Sequence, residues 1–169
     1  MKTKNIIILI GLLLFFTGSV FVLHKVSFTL QKKKEQYVSI PIFHLSDLNG
    51  EIVSDTTIDR NKTVLFYFFD PECNLCRSTI DSLKTKYREF SGHQILLVTL
   101  ASEKEVKEFL DTIDFRPPEN MKILFDENTE LFSLVGIISP PASLIYKKGI
   151  LIKRFDGPVK TETLLKYLE

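Results

Sequence analysis

The two cysteines of this chain, Cys73 and Cys76, lie in the stretch DPECNLC with two residues between them. A pair at this spacing can form and break a disulfide, can supply half of a zinc site, or can be an accident of composition. As a dithiol it would exchange disulfides through a mixed disulfide, in which one cysteine attacks and the other resolves the intermediate.

The sequence around the pair predicts a strand that leads into a helix. Residues 63–69, TVLFYFF, form a continuous apolar run typical of a strand covered on both faces. After them, apolar residues recur at spacings of four and three and predict one helical stripe: Cys76, Ile80, Leu83, Tyr87 and Phe90. Because Cys73 stands where backbone N–H groups and the helix dipole converge, a thiolate there would be stabilised. We therefore predict that Cys73 is the attacking thiolate, that Cys76 is the more buried resolving thiol, and that the two form a redox disulfide.

Three other interpretations of the cysteine pair compete with redox chemistry. A structural zinc needs four ligands, and the chain has no third cysteine and three histidines without paired ligand spacing. A purely structural disulfide would close so short a loop that it would stabilise the fold little. Coincidence would place both cysteines of the chain at a strand-to-helix boundary. The sequence favours redox chemistry and predicts no metal.

The remaining pattern predicts an α/β domain with a mixed sheet. The predicted order is β-β-β-α-β-α-β-α-β-β-α, in which strands separated by helices indicate parallel pairs and the closing hairpin makes the sheet mixed. The features that mark these elements are turns at Asn49-Gly50 and Lys148-Gly149, strands at 94–100 and 121–125, a capping box at Ser102 and Glu105, apolar helix positions at Leu131, Phe132 and Val135, and Thr161 as the N-cap of the last helix.

The N-terminus predicts a membrane anchor. From Ile6 to Leu23 no residue is charged, a length of about 18 residues that is near the minimum for a membrane-spanning helix. We predict a signal-anchor at 1–24, a juxtamembrane linker at 25–38, and a soluble domain at 39–169 on the extracytoplasmic (periplasmic) side of the cytoplasmic membrane. A cleaved signal peptide is the lesser alternative, since no Ala-x-Ala site follows the apolar run.

The composition excludes some functions. The formal net charge of +1, from 22 basic and 21 acidic residues, is unlike the concentrated basic excess of nucleic-acid-binding domains, so no nucleic acid is expected. Hydrophobic residues make up 44% of the chain, enough for a core of its own. We expect a monomer without a cofactor.

Two separate motifs carry a resemblance to a known family. FHLSDLNGEIVSDTTIDRNKTVLFYFFDPECNLC and, further on, GIISPPASLIYKKGILIKRFDG are similar to the opening and to the second signature of the thioredoxin fold. The version they resemble is that of the TlpA/ResA-like group, the membrane-anchored extracytoplasmic thiol–disulfide oxidoreductases of bacteria. The resemblance covers about three-quarters of the chain and implies a thioredoxin-like fold.

The resemblance also implies an active-site cis-proline, which the register places at Pro141 in preference to Pro140 and whose preceding backbone would pair with the substrate chain. Three departures from the family pattern leave the redox potential and the direction of electron flow open. Glu72 replaces the usual Trp, Asn74-Leu75 replaces a pair that often holds Pro, and Tyr67 stands where thioredoxins carry a buried acid. Because that acid is missing, Asp70 or Glu72 is a candidate proton relay.

The function that follows is a thiol–disulfide oxidoreductase acting on protein disulfides outside the cytoplasmic membrane. Its partners would be a protein disulfide or dithiol substrate, a membrane electron donor or partner oxidoreductase, and membrane lipid through the N-terminal helix. One alternative is a thiol peroxidase of the peroxiredoxin-like branch, which would carry Thr or Ser where this chain has Asp70. Another is a copper-handling module, which would need a histidine beyond His93.

Overall fold

The computed structural model describes residues 17–21 and 38–169. Residues 17–21 are helical, and no helix within the described ranges is long and apolar enough to cross a membrane. Apart from these five residues and Val38, the predicted anchor at 1–24 and the predicted linker at 25–38 lie outside the described residues. Residues 38–169 belong to one unit that holds both cysteines.

Within residues 38–169 the element order is the one predicted from sequence. The strands are β1 (His44–Asp47), β2 (Ile52–Ser54), β3 (Val64–Phe68), β4 (Gln94–Thr99), β5 (Met121–Phe125), β6 (Ala142–Lys147) and β7 (Ile150–Asp156). The helices are α1 (Asn74–Thr85), α2 (Glu103–Thr112), α3 (Glu130–Leu134) and α4 (Thr161–Leu168), and a short 3₁₀ helix at Tyr87–Phe90 follows α1.

The seven strands form one mixed sheet in the order β2-β1-β5-β4-β3-β6-β7. The pairs β3–β4 and β4–β5 are parallel, whereas β6 pairs with β3, and β1 with β5, in antiparallel fashion. All five residues of β3 are buried, as expected for a central strand with helices on both faces. The predicted α/β architecture with a mixed sheet is therefore confirmed.

Alternating residues of β3 face the two halves of the core. Leu65, Tyr67 and Phe69 pack with α1, α2 and α4 in one apolar cluster. Phe66 and Phe68 pack with α3 and the β1–β2 hairpin in the other. Side chains alternate in this way because successive residues of a strand point to opposite faces. Tyr67 therefore lies on the face that α1, the helix carrying Cys76, covers.

Local predictions are confirmed in three places and wrong in two. Positive φ angles occur at Gly50, Lys148 and Gly149 in the two predicted turns, and Ser102 and Glu105 form the predicted capping box. The stripe of α1, however, does not extend to Tyr87. The backbone leaves α-helical geometry at Lys86, and the side chain of Tyr87 is 41% exposed.

The second error concerns the start of the last helix. Its N-cap is Lys160, whose backbone is extended, and Thr161 is the first helical residue. Thr161 is buried, so its side chain contributes to packing from inside the first turn. The preference of hydroxyl-bearing residues for N-cap positions led to the right end of the helix, but the predicted cap is one residue too far along the chain.

Candidate active site

The connection from β3 to α1 is a tight turn built on Asp70. The N–H of Phe69 donates to the carbonyl of Val98 at 2.9 Å, which keeps the chain in the sheet up to the turn. Asp70 then accepts two hydrogen bonds, one from the N–H of Cys73 to its carbonyl at 3.1 Å and one from the N–H of Glu72 to Oδ1 at 2.8 Å. A side-chain bond of this kind stabilises a turn at the residue where the strand ends. This turn places Cys73 directly before the first residue of α1.

Cys73 is the N-cap residue of α1. Its backbone is extended, with φ −77° and ψ 111°, and its Sγ accepts a hydrogen bond from the N–H of Cys76 at 3.2 Å. In most helices a side-chain oxygen takes this position and satisfies an otherwise unpaired N–H group. A sulfur anion at the same place receives the same hydrogen bond together with the favourable end of the helix dipole.

The two cysteines differ in exposure, and burial affects the acidity of Cys76. Both are free thiols, with Cys73 half-buried and Cys76 fully buried on the inner side of α1, as the apolar stripe predicts. Burial, together with the hydrogen bond with Cys73 and the charges of Cys73 and Asp70, raises the pKa of the Cys76 thiol to about 12, against a lowering by the Asp70 backbone. Cys76 therefore holds its proton at neutral pH.

The sequence-predicted cis-proline lies beside the dithiol turn. The peptide bond between Pro140 and Pro141 is cis. Ala142, the next residue, pairs with Phe68 at the end of β3, so Pro141 and the β3–α1 turn lie at the same end of these two neighbouring strands. The carbonyl of Pro141 accepts a hydrogen bond from the N–H of Gly157 at 2.9 Å.

Arg154 holds the segment that leads to these prolines. Its guanidinium donates to the carbonyl of Val135 at 2.6 Å and to that of Gly136 at 2.9 Å, and it pairs with Asp156. Both carbonyls lie at the end of α3, where the last carbonyl groups of a helix lack partners within the helix. No sequence pattern indicated this contact, because an arginine on an edge strand is usually a solvated charge.

The acidic candidates lie on the outside of the turn. Asp70 and Glu72 are exposed, and with Leu100, Ala101 and Glu105 they line a shallow pocket of about 270 Å³. Asp70 acts on the pKa of Cys76, as described above, and the structure shows no comparable interaction for Glu72 among the described residues. Of the two acids, Asp70 is therefore the one whose charge acts on Cys76.

Arg77 has a structural contact beside the site. Its guanidinium lies over the ring of Phe109 at 5.1 Å from the centroid, and its Nη1 lies 3.5 Å from the carbonyl of Pro71. The stacking ties α1 to α2 at the level of the dithiol turn. The side chain of Arg77 thus links the β3–α1 turn to α2.

Tyr67 and Ser143 are buried hydroxyls that the sequence did not single out as a pair. They oppose each other on β3 and β6, and neither hydroxyl has a hydrogen-bond partner among the described residues. Burial raises the pKa of Tyr67 well above its usual value. The alternation of β3 could have identified Tyr67 as inward-facing, but the position of Ser143 depends on strand pairing.

The described residues around the dithiol turn contain no cluster of metal ligands. Over residues 17–21 and 38–169, no group of three or more His, Cys, Asp or Glu side chains is arranged to hold a metal ion. The described histidines, His44 and His93, are not grouped with the cysteines. The reactive groups that the described residues bring together at this turn are the two thiols.

Comparison with known proteins extends this picture. Residues 38–159 match the model of the AhpC/TSA family. Over its whole length the chain is 26% identical to the thiol–disulfide oxidoreductase ResA of Bacillus thuringiensis, covering 98% of that protein. In fold it is similar to StoA from Bacillus subtilis, with a TM-score of 0.64 and 20% identity over 78% of this chain and 99% of that one. It is also similar in fold to peroxiredoxin Q of Xanthomonas campestris, with a TM-score of 0.64 and 16% identity over 75% of this chain and 89% of that one.

The match to the family model covers the strand before the dithiol, the dithiol turn and the strand that follows Pro141. The relative that spans the whole chain, ResA, belongs with the group that the two sequence motifs resemble. The thioredoxin-like fold expected from those motifs is the fold of StoA. The chain belongs to the AhpC/TSA family and has a thioredoxin-like fold, with similarity to ResA over its whole length.

Proposed function

We propose that this thiol–disulfide oxidoreductase of the ResA type acts on protein disulfides outside the cytoplasmic membrane, with Cys73 as the attacking and Cys76 as the resolving cysteine. The observation that carries the assignment of roles is the position of Cys73 as the N-cap of α1, half-exposed, with Cys76 buried one turn further on. An attacking thiol needs access and a stabilised anion, whereas a resolving thiol needs only to reach the first sulfur.

In the reducing direction the electrons and protons balance within the two proteins. The Cys73 thiolate attacks one sulfur of the substrate disulfide, and the other substrate sulfur leaves as a thiolate that takes up a proton. The Cys76 thiol then loses its proton and attacks Cys73, forming the Cys73–Cys76 disulfide and releasing the second substrate thiol. The substrate gains two electrons and two protons, and the enzyme dithiol loses them.

Pro141 and Asp70 have supporting roles in this proposal. Pro141 lies at the end of β6 next to the dithiol turn, where the backbone preceding it would pair with an extended substrate chain. Asp70 would accept the proton of Cys76, because it is the exposed carboxylate whose charge acts on that thiol. Glu72, also exposed at the turn, would relay the proton to solvent.

The proposed location rests on the N-terminal sequence. The signal-anchor at 1–24 and the linker at 25–38 would hold the domain at 39–169 on the periplasmic side as a monomer, with a cleaved and secreted form as the lesser alternative. There the oxidised enzyme would be reduced by a membrane electron donor or a partner oxidoreductase. A chain with two cysteines has no third thiol to mispair in such an oxidising compartment.

Two measurements test the proposed function. The reduced full chain should reduce a disulfide-bonded protein such as insulin, and Cys73→Ser should abolish the reaction. In intact cells, a membrane-impermeant thiol reagent should label Cys73 of the membrane-bound wild-type chain. Labelling only after the cells are lysed would contradict the extracytoplasmic location, and turnover by Cys73→Ser would contradict the chemistry.

A thiol peroxidase is the second candidate, favoured by the AhpC/TSA match and by the fold shared with a peroxiredoxin. Against it, Asp70 stands three residues before Cys73, where a peroxidase of this type would carry a hydroxyl. Consumption of hydrogen peroxide by the reduced chain at a rate comparable to its reduction of protein disulfides would favour the peroxidase. A copper titration of the reduced chain tests the remaining alternative, a copper-handling module.

A further inference from the structure

The hydroxyl of Tyr67 is the most unusual polar group beneath the dithiol. Its side chain is fully buried, and within the described residues the hydroxyl makes no hydrogen bond. An unpaired buried hydroxyl costs free energy that the same ring without oxygen would not. That position 67 carries Tyr and not Phe, despite this cost, indicates that the hydroxyl acquires a hydrogen-bond partner in another state of the molecule.

The direction in which Tyr67 points identifies the partner. Tyr67 lies on the face of β3 that α1 covers, in the same apolar cluster as Cys76. Thr79, one turn after Cys76, lies on the same buried side of α1, but its hydroxyl donates to the carbonyl of Leu75 at 3.2 Å and makes no hydrogen bond with Tyr67. Both cysteine sulfurs change charge during catalysis, and Cys76 is the one that is fully buried in the cluster of Tyr67.

We propose that the Tyr67 hydroxyl donates a hydrogen bond to the Cys76 thiolate while that thiolate attacks Cys73. The inference rests on the proposed function and deepens it, since it concerns the resolution step alone. In the dithiol state Cys76 keeps its proton and the phenol is unpaired. When Cys76 ionises, an anion forms in a buried site of low dielectric, where a preplaced donor is worth most.

The ionisation behaviour of the two groups agrees with this assignment. Burial raises the pKa of Tyr67 well above its usual value, the nearby hydroxyl of Thr79 lowers it, and the charges of Cys76 and Cys73 raise it. Tyr67 therefore remains protonated when Cys76 is a thiolate and acts as a donor, not as the base. The other ionisable groups that act on Cys76 are Cys73 and Asp70.

The step balances without a further reactant. Cys76 transfers its proton toward Asp70 or water, its thiolate attacks the Cys73 sulfur of the mixed disulfide, and the substrate sulfur leaves with the bonding electron pair. The proton of Tyr67 stays on Tyr67 throughout. Its hydrogen bond strengthens as the charge appears on Cys76 and weakens as the new disulfide bond consumes that charge.

Tyr67→Phe tests the proposal because it removes only the oxygen. The reduced full chain is mixed in a stopped-flow instrument with a symmetrical nitrobenzoate disulfide. The first release of coloured thiolate reports attack by Cys73, and the second reports resolution by Cys76. Loss of a hydrogen bond to its charged sulfur should lower the acidity of the Cys76 thiol by about tenfold or more. The higher nucleophilicity of a less acidic thiolate offsets about half of this on a logarithmic scale, so the second phase should slow roughly three- to tenfold while the first stays unchanged.

Tyr146→Phe is the matched control. Tyr146 is also fully buried, but it belongs to the apolar cluster on the opposite face of the sheet. Removing its hydroxyl should leave both phases unchanged. An equal slowing by Tyr146→Phe, or an unchanged second phase in Tyr67→Phe, overturns the proposal.

Stability measurements separate this role from a purely structural one. Removing an unpaired buried hydroxyl should leave the free energy of unfolding of the reduced chain unchanged or raise it. Removing a hydroxyl that stabilises the fold should lower it. If Tyr67→Phe does not fold, a fluorinated tyrosine incorporated at position 67 is a stronger donor and should speed the second phase; a slower second phase overturns the proposal. Absence of a second phase in the wild-type chain would count against the proposed function itself, not against Tyr67 alone.

Discussion

The backbone N–H of Cys76 donates a hydrogen bond to the sulfur of Cys73 across 3.2 Å. This single contact makes one cysteine the cap of the helix and keeps the other one turn inside it. The partly exposed sulfur of Cys73 thus lies at the N-terminus of the helix, whereas the sulfur of Cys76 lies among apolar side chains. The different chemistry proposed for the two cysteines follows from these two environments.

Capping by sulfur predicts a specific order of stabilities. Cys73→Ser should keep a capping acceptor at the start of α1, whereas Cys73→Ala should lose it. We expect the alanine variant to be less stable than the serine variant by about 0.5–1 kcal/mol, the usual effect of deleting an N-cap. Urea denaturation of both variants under reducing conditions measures the difference. Equal stabilities would show that the bond from Cys76 to the cap contributes nothing.

The acidity of Cys76 predicts a pH dependence of stability. The thiol has a pKa of about 12 in the folded chain against a reference value of 9.0, so the folded state binds the proton more tightly than the unfolded state. The associated stability is fully present below about pH 9 and is lost as the pH rises toward the folded value. The reduced wild-type chain should therefore lose stability above about pH 9 faster than Cys76→Ala does.

The comparison with Cys76→Ala is needed because burial also raises the pKa of Tyr67 and of Tyr146. Both phenols destabilise the fold at high pH in the same direction, and both are present in the two chains compared. Only the difference between the chains reports Cys76. Parallel stability curves from neutral pH to about pH 10.5 would contradict the raised pKa of its thiol.

The proton-relay proposal predicts unequal effects of the two acids. Asp70→Asn should slow resolution by Cys76 by about tenfold or more, because it removes the carboxylate that acts on that thiol. Glu72→Gln is the matched control and should have a smaller effect. Both variants keep an oxygen at the same position, and the second phase of the nitrobenzoate reaction is the readout. Faster resolution in Asp70→Asn would mean that the charge of Asp70 only opposes ionisation of Cys76.

Much of the fold could be predicted because its signals are local. The buried run around β3, the capping box at Ser102 and the turn at Lys148-Gly149 depend on residues near one another in sequence. The end of α1 could not be placed, since Tyr87 continues the apolar spacing that the backbone abandons at Lys86. The pairing of β1 with β5 was equally out of reach, because short strands carry little information about their partners.

The candidate site divides in the same way. The spacing of Cys73 and Cys76 and the helix that follows are local features, and the resemblance supplied Pro141. The contacts that connect distant segments were not predictable. Arg154 holding the end of α3, and Ser143 lying opposite Tyr67, both follow from strand pairing that no local pattern encodes.

The assignment of Cys73 as the attacking cysteine and Cys76 as the resolving one is tested most directly by trapping. The reduced full chain carrying Cys76→Ser is incubated with a disulfide-bonded protein, and covalent complexes are separated on non-reducing gels. We predict that Cys76→Ser accumulates a mixed disulfide through Cys73, and that Cys73→Ser accumulates none because its remaining thiol is buried and protonated. Capture through Cys76 in the Cys73→Ser variant, with none in Cys76→Ser, would contradict the account.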